Sequence, residues 1–291
     1  MWICPILIWI QDLRRIDNEV SEVFKENKQF TLFSILALVV VGVAVFAPQI
    51  APYDPLDAVM LESLQAPSSA HPFGTDKLGR DLLSRVIFGT RTSLVMTLCL
   101  VAVIFVIGTF LGIIAGYFGG IVDGVIMRIA DMMISFPGLV LAIAIAGMLG
   151  PNLVNAVISI AAVSWTKYAR LARSMVLRVK KNLYIEAAVV NGTRTWKILL
   201  VHVLPNMVTQ MVVTAAADIG TMMLELASLS FLGFGATAPT PEWGLMLNEG
   251  RTYMAKAPWL MIYPGIAIVI CVVIFNMLGD SIRDVLDPRQ E

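Results

Sequence analysis

Six apolar runs constrain what this chain of 291 residues can fold into. They cover 31–50, 93–115, 125–149, 153–169, 207–232 and 259–278. A helix needs about 20 such residues to cross a bilayer. Backbone N–H and C=O groups find no water inside lipid, so a spanning run closes its hydrogen bonds as a helix or joins a closed barrel. The two-residue alternation of barrel strands is absent. Hydrophobic residues make up 58% of the chain and charged residues 14%, where soluble domains carry about a quarter charged. The expectation is an all-α membrane protein with about six transmembrane helices.

Two of the six runs are irregular. The third carries Arg128 and Asp131, spaced to pair as i, i+3, and then `FPG`, where Pro137 and Gly138 mark a kink. The fourth is short and ends in Lys167, whose long stem can carry its charge to the interface. Between them `LGPN` (149–152) reads as a turn, and `GIIAGYFGGIVDG` (112–124) as close small-residue packing followed by a turn. Cys4, Cys99 and Cys271 lie far apart in apolar runs and read as core hydrophobes, with neither disulfide nor zinc spacing. The opening `MWICPILIWI` is too short to span and lacks the basic start and cleavage site of a secretory signal. It reads as an interfacial or partner-facing segment, or as a loosely fixed tail.

Lysine and arginine counts set the orientation. With the N-terminus inside, fifteen of these residues fall on inner segments and six on outer ones, which places both termini in the cytoplasm. Two long outer segments, 51–92 and 233–257, are rich in Pro, Gly and Asp and have the length of functional loops. A short surface helix is expected near 243–253. Net charge is zero, which gives no sign of a nucleic-acid partner. No `GxxxxGK[ST]`, `HExxH` or `GxSxG` occurs. Work done by this chain therefore draws its energy from a partner or an ion gradient.

The inner loop after the fourth run holds the densest positive charge and then `YIEAAVVNGTRTWKILLVHVLPN` (184–206). Ile185, Ala188 and Val189 share one face of a short helix. Glu186 suits its N-terminal dipole, Gly192 ends it, and a second helix climbs past Pro205.

Glu186, Ala187, Ala188, Gly192, Leu204 and Pro205 match the spacing of the EAA loop in permease subunits of ABC importers. His202 stands where that pattern has an aliphatic residue, as in the peptide and nickel branch. `FGTDKLGRDLLSRVIFGTRTSL` (73–94), `AGYFGG` (115–120), `SFLGFGATAPTPEWGLML` (230–247) and `NMLGDSIRDVLDPR` (276–289) follow in order. Together they resemble the second permease subunit of dipeptide, oligopeptide and nickel importers. The resemblance implies a type I ABC importer fold. Residues 1–30 form a cytoplasmic or interfacial segment, 31–92 the first transmembrane helix with an external loop, and 93–285 the permease core with coupling loop 170–206. Residues 286–291 are a cytoplasmic tail.

It also implies partners: a homologous second permease, two cytoplasmic ATPase subunits or domains, an external solute-binding protein and membrane lipid, in a bacterial plasma membrane. By the same resemblance the chain itself is expected to hold no cofactor and to be no enzyme, with ATP and magnesium held by the ATPase, in a groove of which the coupling helix docks. The fifth run carries Asp218 and Glu225 seven residues apart, on one helical face with Met222. A charge at mid-membrane costs about 2.5–3.5 kcal/mol on insertion scales and faces a cavity or a partner. These three residues are therefore candidates for the translocation path, the alternative being an ion pair between helices. Pro241, Glu242 and Trp243 are candidates for the external gate and binding-protein side. The resemblance implies a cargo of small peptides or nickel chelates delivered by the external binding protein. A self-sufficient secondary transporter and a non-transporting scaffold remain the alternatives.

Overall fold

The computed structural model describes residues 27–286. The apolar opening stretch and all but the first residue of the 286–291 tail lie outside them. Among the described residues the chain is helical, and its sole β-type pairing is an isolated bridge between Thr75 and Asp81.

Helix α1 spans Lys28–Val45 and α2 spans Leu82–Phe118. At 37 residues and about 1.5 Å per residue, α2 is far longer than the hydrocarbon core is thick. It starts well before the expected span because Asp81 caps it, accepting from the Ser84 N–H at 2.7 Å. Helices α3 (Gly120–Ile134) and α4 (Gly138–Leu149) replace the single third run. They meet at 94°. Pro137 lacks an N–H and disfavours helical backbone at Phe136, so the expected kink is a full break.

Helix α5 spans Leu153–Val179, capped by the Asn152 side chain on the Val154 N–H at 2.8 Å. Helix α6 spans Leu183–Val190. A helical turn (Thr195–Lys197) and a π-helical turn (Ile198–Val203) then lead into α7, Leu204–Phe231. Helix α8 spans Trp243–Arg251 and α9 spans Trp259–Leu286. Contrary to the expected surface helix, α8 buries Trp243, Gly244, Leu245 and Met246.

By length and apolarity four of these helical runs can cross a membrane: α1, α2, Thr195–Phe231 and α9. The bent pair α3–α4 makes up to five. The expected fourth crossing, within α5, is not among them, because its second half carries Lys167, Arg170, Arg173 and Arg178. Packing binds it into the bundle all the same. Gly108, Gly112 and Gly116, one helical turn apart, let α2 approach the α5 backbone. A Cβ at Gly112 would lie 2.4 Å from the Ala169 carbonyl oxygen. Small residues also join α7 to α9, where a Cβ at Gly279 would lie 2.4 Å from the Ala217 Cα. The glycine-rich stretch thus does both things expected of it, since Gly119 and Gly120 turn the chain at φ +66° and +54°.

Two expected side-chain roles are corrected. Asp131 pairs with Arg170 of α5 instead of Arg128, and Asp123 pairs with Arg173. Both ties run from α3 to α5. Cys271 is buried as expected, whereas Cys99 is exposed. Leu38, Val106 and Phe110 likewise point outward, as lipid-facing residues do.

Candidate functional site

The loop helix α6 is anchored by one side chain. Ile185 is buried in the core with Val179, Ile198, Val203 and Met207. Glu186 and Ala187 are exposed, and Ala188 is half-buried. Glu186 lies in the first turn of the helix, where its charge suits the exposed N–H groups. At the other end Gly192 adopts φ +72°, and the Thr193 N–H bonds back to the Ala188 carbonyl at 3.0 Å. The turn requires left-handed backbone, which glycine adopts without a Cβ clash.

Leu204 and Pro205 stand apart from this turn, at the start of α7. The Leu204 N–H reaches the Leu199 carbonyl five residues back. Pro205, having no N–H, breaks the ordinary helical ladder at that point. Sequence reasoning missed the apolar surface this loop presents. Leu183 and Val190 are 81% and 86% exposed, and Trp196, Val189 and Tyr184 are also exposed. The signal was available as apolar residues set between lysines and arginines in a segment too short to span.

A cleft of about 380 Å³ opens where α3 and α4 break, lined on its other sides by α5, α7 and Ile104 of α2. Asp218, Met222 and Glu225 all line it. The three path candidates are therefore brought together, along with Phe136 and Gly138 of the break. Asp218 is already engaged. It accepts from Lys167 Nζ at 2.6 Å and from the Tyr168 hydroxyl at 2.9 Å. Its carboxylate is buried, while the Lys167 side chain is 60% exposed toward the cleft. Glu225 is half-buried, and among the described residues it has no hydrogen-bond or ion-pair partner.

The two outer loops lock into one cap. Arg80 Nε donates to Asp76 at 2.6 Å, and Arg80 and Arg85 both reach Glu249 of α8 at 3.4 Å. Lys77 joins Glu249 at 3.2 Å. Arg85 also donates to the carbonyls of Pro55 and Pro239. His71 bridges Asp81 at 2.8 Å and Glu62 at 3.2 Å.

Of the gate candidates, Pro241 is half-buried, while Glu242 and Trp243 are each about 1% exposed. Glu242 caps α8, accepting from the Gly244 and Leu245 N–H groups at 2.9 and 2.8 Å. Burial pushes its carboxyl up from the usual range, against the pull of those N–H groups. The Trp243 ring lies over Gly89 and donates from Nε1 to the Val86 carbonyl at 3.0 Å. Both residues tie the cap to α2 from inside and offer no outer contact surface.

A bundle of spanning helices, a charged cleft beside a broken helix and an apolar loop helix after α5 are the parts expected of a membrane transport subunit. The chain belongs to the family described as binding-protein-dependent transport system inner membrane component, whose profile matches residues 108–291. It is 42% identical to a dipeptide transport system permease protein of Alkalihalophilus pseudofirmus, over 94% of this chain and 90% of that one. It is 44% identical to a glutathione transport system permease protein of Pectobacterium atrosepticum, over 88% and 85%. A probable D,D-dipeptide transport system permease protein of Escherichia coli shares 42%, over 88% and 86%. In fold it resembles a methionine ABC transporter solved in inward-facing form. The TM-score is 0.57 at 20% identity, covering 71% of this chain and 98% of that one.

Proposed function

We propose that this permease subunit forms half of an import path for small peptides, driven by ATP hydrolysis on a separate ATPase and fed by an external binding protein. The observation that carries the reading is the cleft at the α3–α4 break, whose polar side chains are drawn from α5 and α7. The names of its relatives, which refer to dipeptides and glutathione, favour peptide over nickel chelate as cargo. A homologous permease completes the path. The α6 loop, with Glu186, Ala187, Ala188 and Gly192, docks in the ATPase, and Leu204 and Pro205 carry its movement into α7. Exposed Leu183, Val190 and Trp196 give that contact its apolar area, at about 25 cal/mol per Å² buried. Both termini lie in the cytoplasm, and the cap joined by Glu242 and Trp243 faces the binding protein.

The test is reconstitution in liposomes with the second permease, the ATPase and the binding protein. Labelled dipeptide should accumulate only when ATP is enclosed on the ATPase side. Accumulation driven by an ion gradient with this chain alone would overturn the reading in favour of a secondary transporter. Uptake that persists when the chain is left out would make it a scaffold.

A further inference from the structure

The Asp218 carboxylate has its needs met within the protein, by the Lys167 ammonium and the Tyr168 hydroxyl. It is therefore poorly placed to attract a cation from the cleft. The groups left with capacity toward the cleft are two others. Lys167 has three N–H donors, of which Asp218 takes one, and its side chain is 60% exposed. Glu225 lines the same cleft, within electrostatic range of Lys167 and Asp218 but with no hydrogen bond or ion pair of its own among the described residues.

We infer that Lys167 and Glu225 form a two-ended site for a zwitterionic peptide, Lys167 taking the terminal carboxylate and Glu225 the terminal ammonium. The inference rests on the small-peptide reading above and assigns its ends to residues. Asp218 and Tyr168 are positioning residues that hold the lysine head at the cleft wall.

Spacing supports this assignment. The lysine is held at the level of Asp218, halfway along α7, and Glu225 lies seven residues further on. Seven residues of helix rise about 10 Å. An extended chain covers about 3.3–3.6 Å per residue, so the charged ends of a di- or tripeptide fall about 7–10 Å apart. The side chains close the remaining gap by hydrogen-bond reach. Opposite charges at the two ends also select against the reversed peptide, which would set like charges together. Met222, between the two levels on the same wall, gives a flexible apolar surface that adapts to varied peptide side chains.

The test is equilibrium binding of labelled Ala-Ala to the purified membrane complex, assembled without the binding protein so that upstream selection is removed. Three competitors are compared: the free dipeptide, its C-terminal amide and its N-acetyl form. The wild-type complex should prefer the free dipeptide to both blocked forms. Lys167→Gln should weaken binding of the free dipeptide by about tenfold while leaving the amide unchanged, and Lys167→Arg should restore the preference. Glu225→Gln should do the same at the amino end, erasing the preference over the N-acetyl form alone.

Equal loss of all three ligands in Lys167→Gln would mean that the lysine only supports Asp218, and would overturn the inference. Unchanged preferences in both variants would do so as well. A wild-type complex that binds none of the peptide forms would instead sink the small-peptide reading, and the inference with it.

Discussion

Replacing Gly192 with Ala, Asn and Leu separates backbone strain from contact with a docked partner. Gly192 sits at φ +72°, and a Cβ built there meets nothing within 4 Å. Any side chain therefore fits the space in the free chain, and the cost comes from the backbone alone. The left-handed region costs an L residue about 1–2 kcal/mol, with asparagine tolerating it best. That shifts the balance between the native turn and relaxed turns by roughly 5–30-fold. In the purified chain Ala and Leu should therefore lower thermal stability equally, and Asn less.

Coupling is the separate readout, measured in liposomes of the whole transporter as peptide taken up per ATP hydrolysed. If an ATPase seats against this turn, Leu should uncouple far more than Ala despite equal stability, because its extra atoms enter occupied space. Equal coupling by Ala and Leu would refute the docking of a partner at this turn. Asn as damaging as Ala in the free chain would refute the backbone argument.

Three further outcomes follow from the packing. Gly112→Ala should cost about 1–3 kcal/mol, since its Cβ would lie 2.4 Å from the Ala169 carbonyl oxygen, whereas Gly124→Ala meets nothing within 4 Å. Thermal unfolding in detergent compares them, and equal midpoints would contradict the close α2–α5 approach. Glu249→Ala should destabilise the cap by about 3–5 kcal/mol, because buried Arg80 and Arg85 lose a shared carboxylate. A melting temperature like wild type would show that Asp76, which also lies 3.6 Å from Arg85 Nε, suffices for both arginines. Glu242→Ala should cost about 0.5–2 kcal/mol through the lost helix cap and shift Trp243 emission to the red. Proteolysis of the 233–257 segment no faster than in wild type would count against the cap.

Much of the bundle was legible because apolar length and helix punctuation are local properties. The runs at 31–50 and 259–278 correspond to α1, which ends at Val45, and to the first part of α9, which runs on to Leu286. The Gly119–Gly120 turn and the small-residue face of α2 were equally visible. Other features were hidden. The `FPG` signal marked a bend but carried no angle, since 94° is set by what α3 and α4 pack against. Asp131 could be seen beside Arg128, yet no sequence pattern places it near Arg170, 39 residues away. At the candidate site, helical spacing put Asp218, Met222 and Glu225 on one face, and the cleft brings them together. What the spacing lacked was Lys167, whose contact with Asp218 crosses 51 residues and changes which carboxylate is free.

By itself the sequence determined that the chain is helical and membrane-embedded, and that its charged inner loop carries a short helix ended by glycine. Those properties follow from hydropathy and backbone preference over a few turns, with no need of distant neighbours. Tertiary structure decided which charges are spent and which remain available. Glu242 and Trp243, conspicuous in an outer loop, are sealed inside it by Gly244, Ser93 and Val86. Lys167, readable as an interfacial anchor, is turned into the cleft by Asp218. The physical reason is that a buried charge must find its opposite wherever packing brings one, and packing joins segments that the sequence keeps far apart.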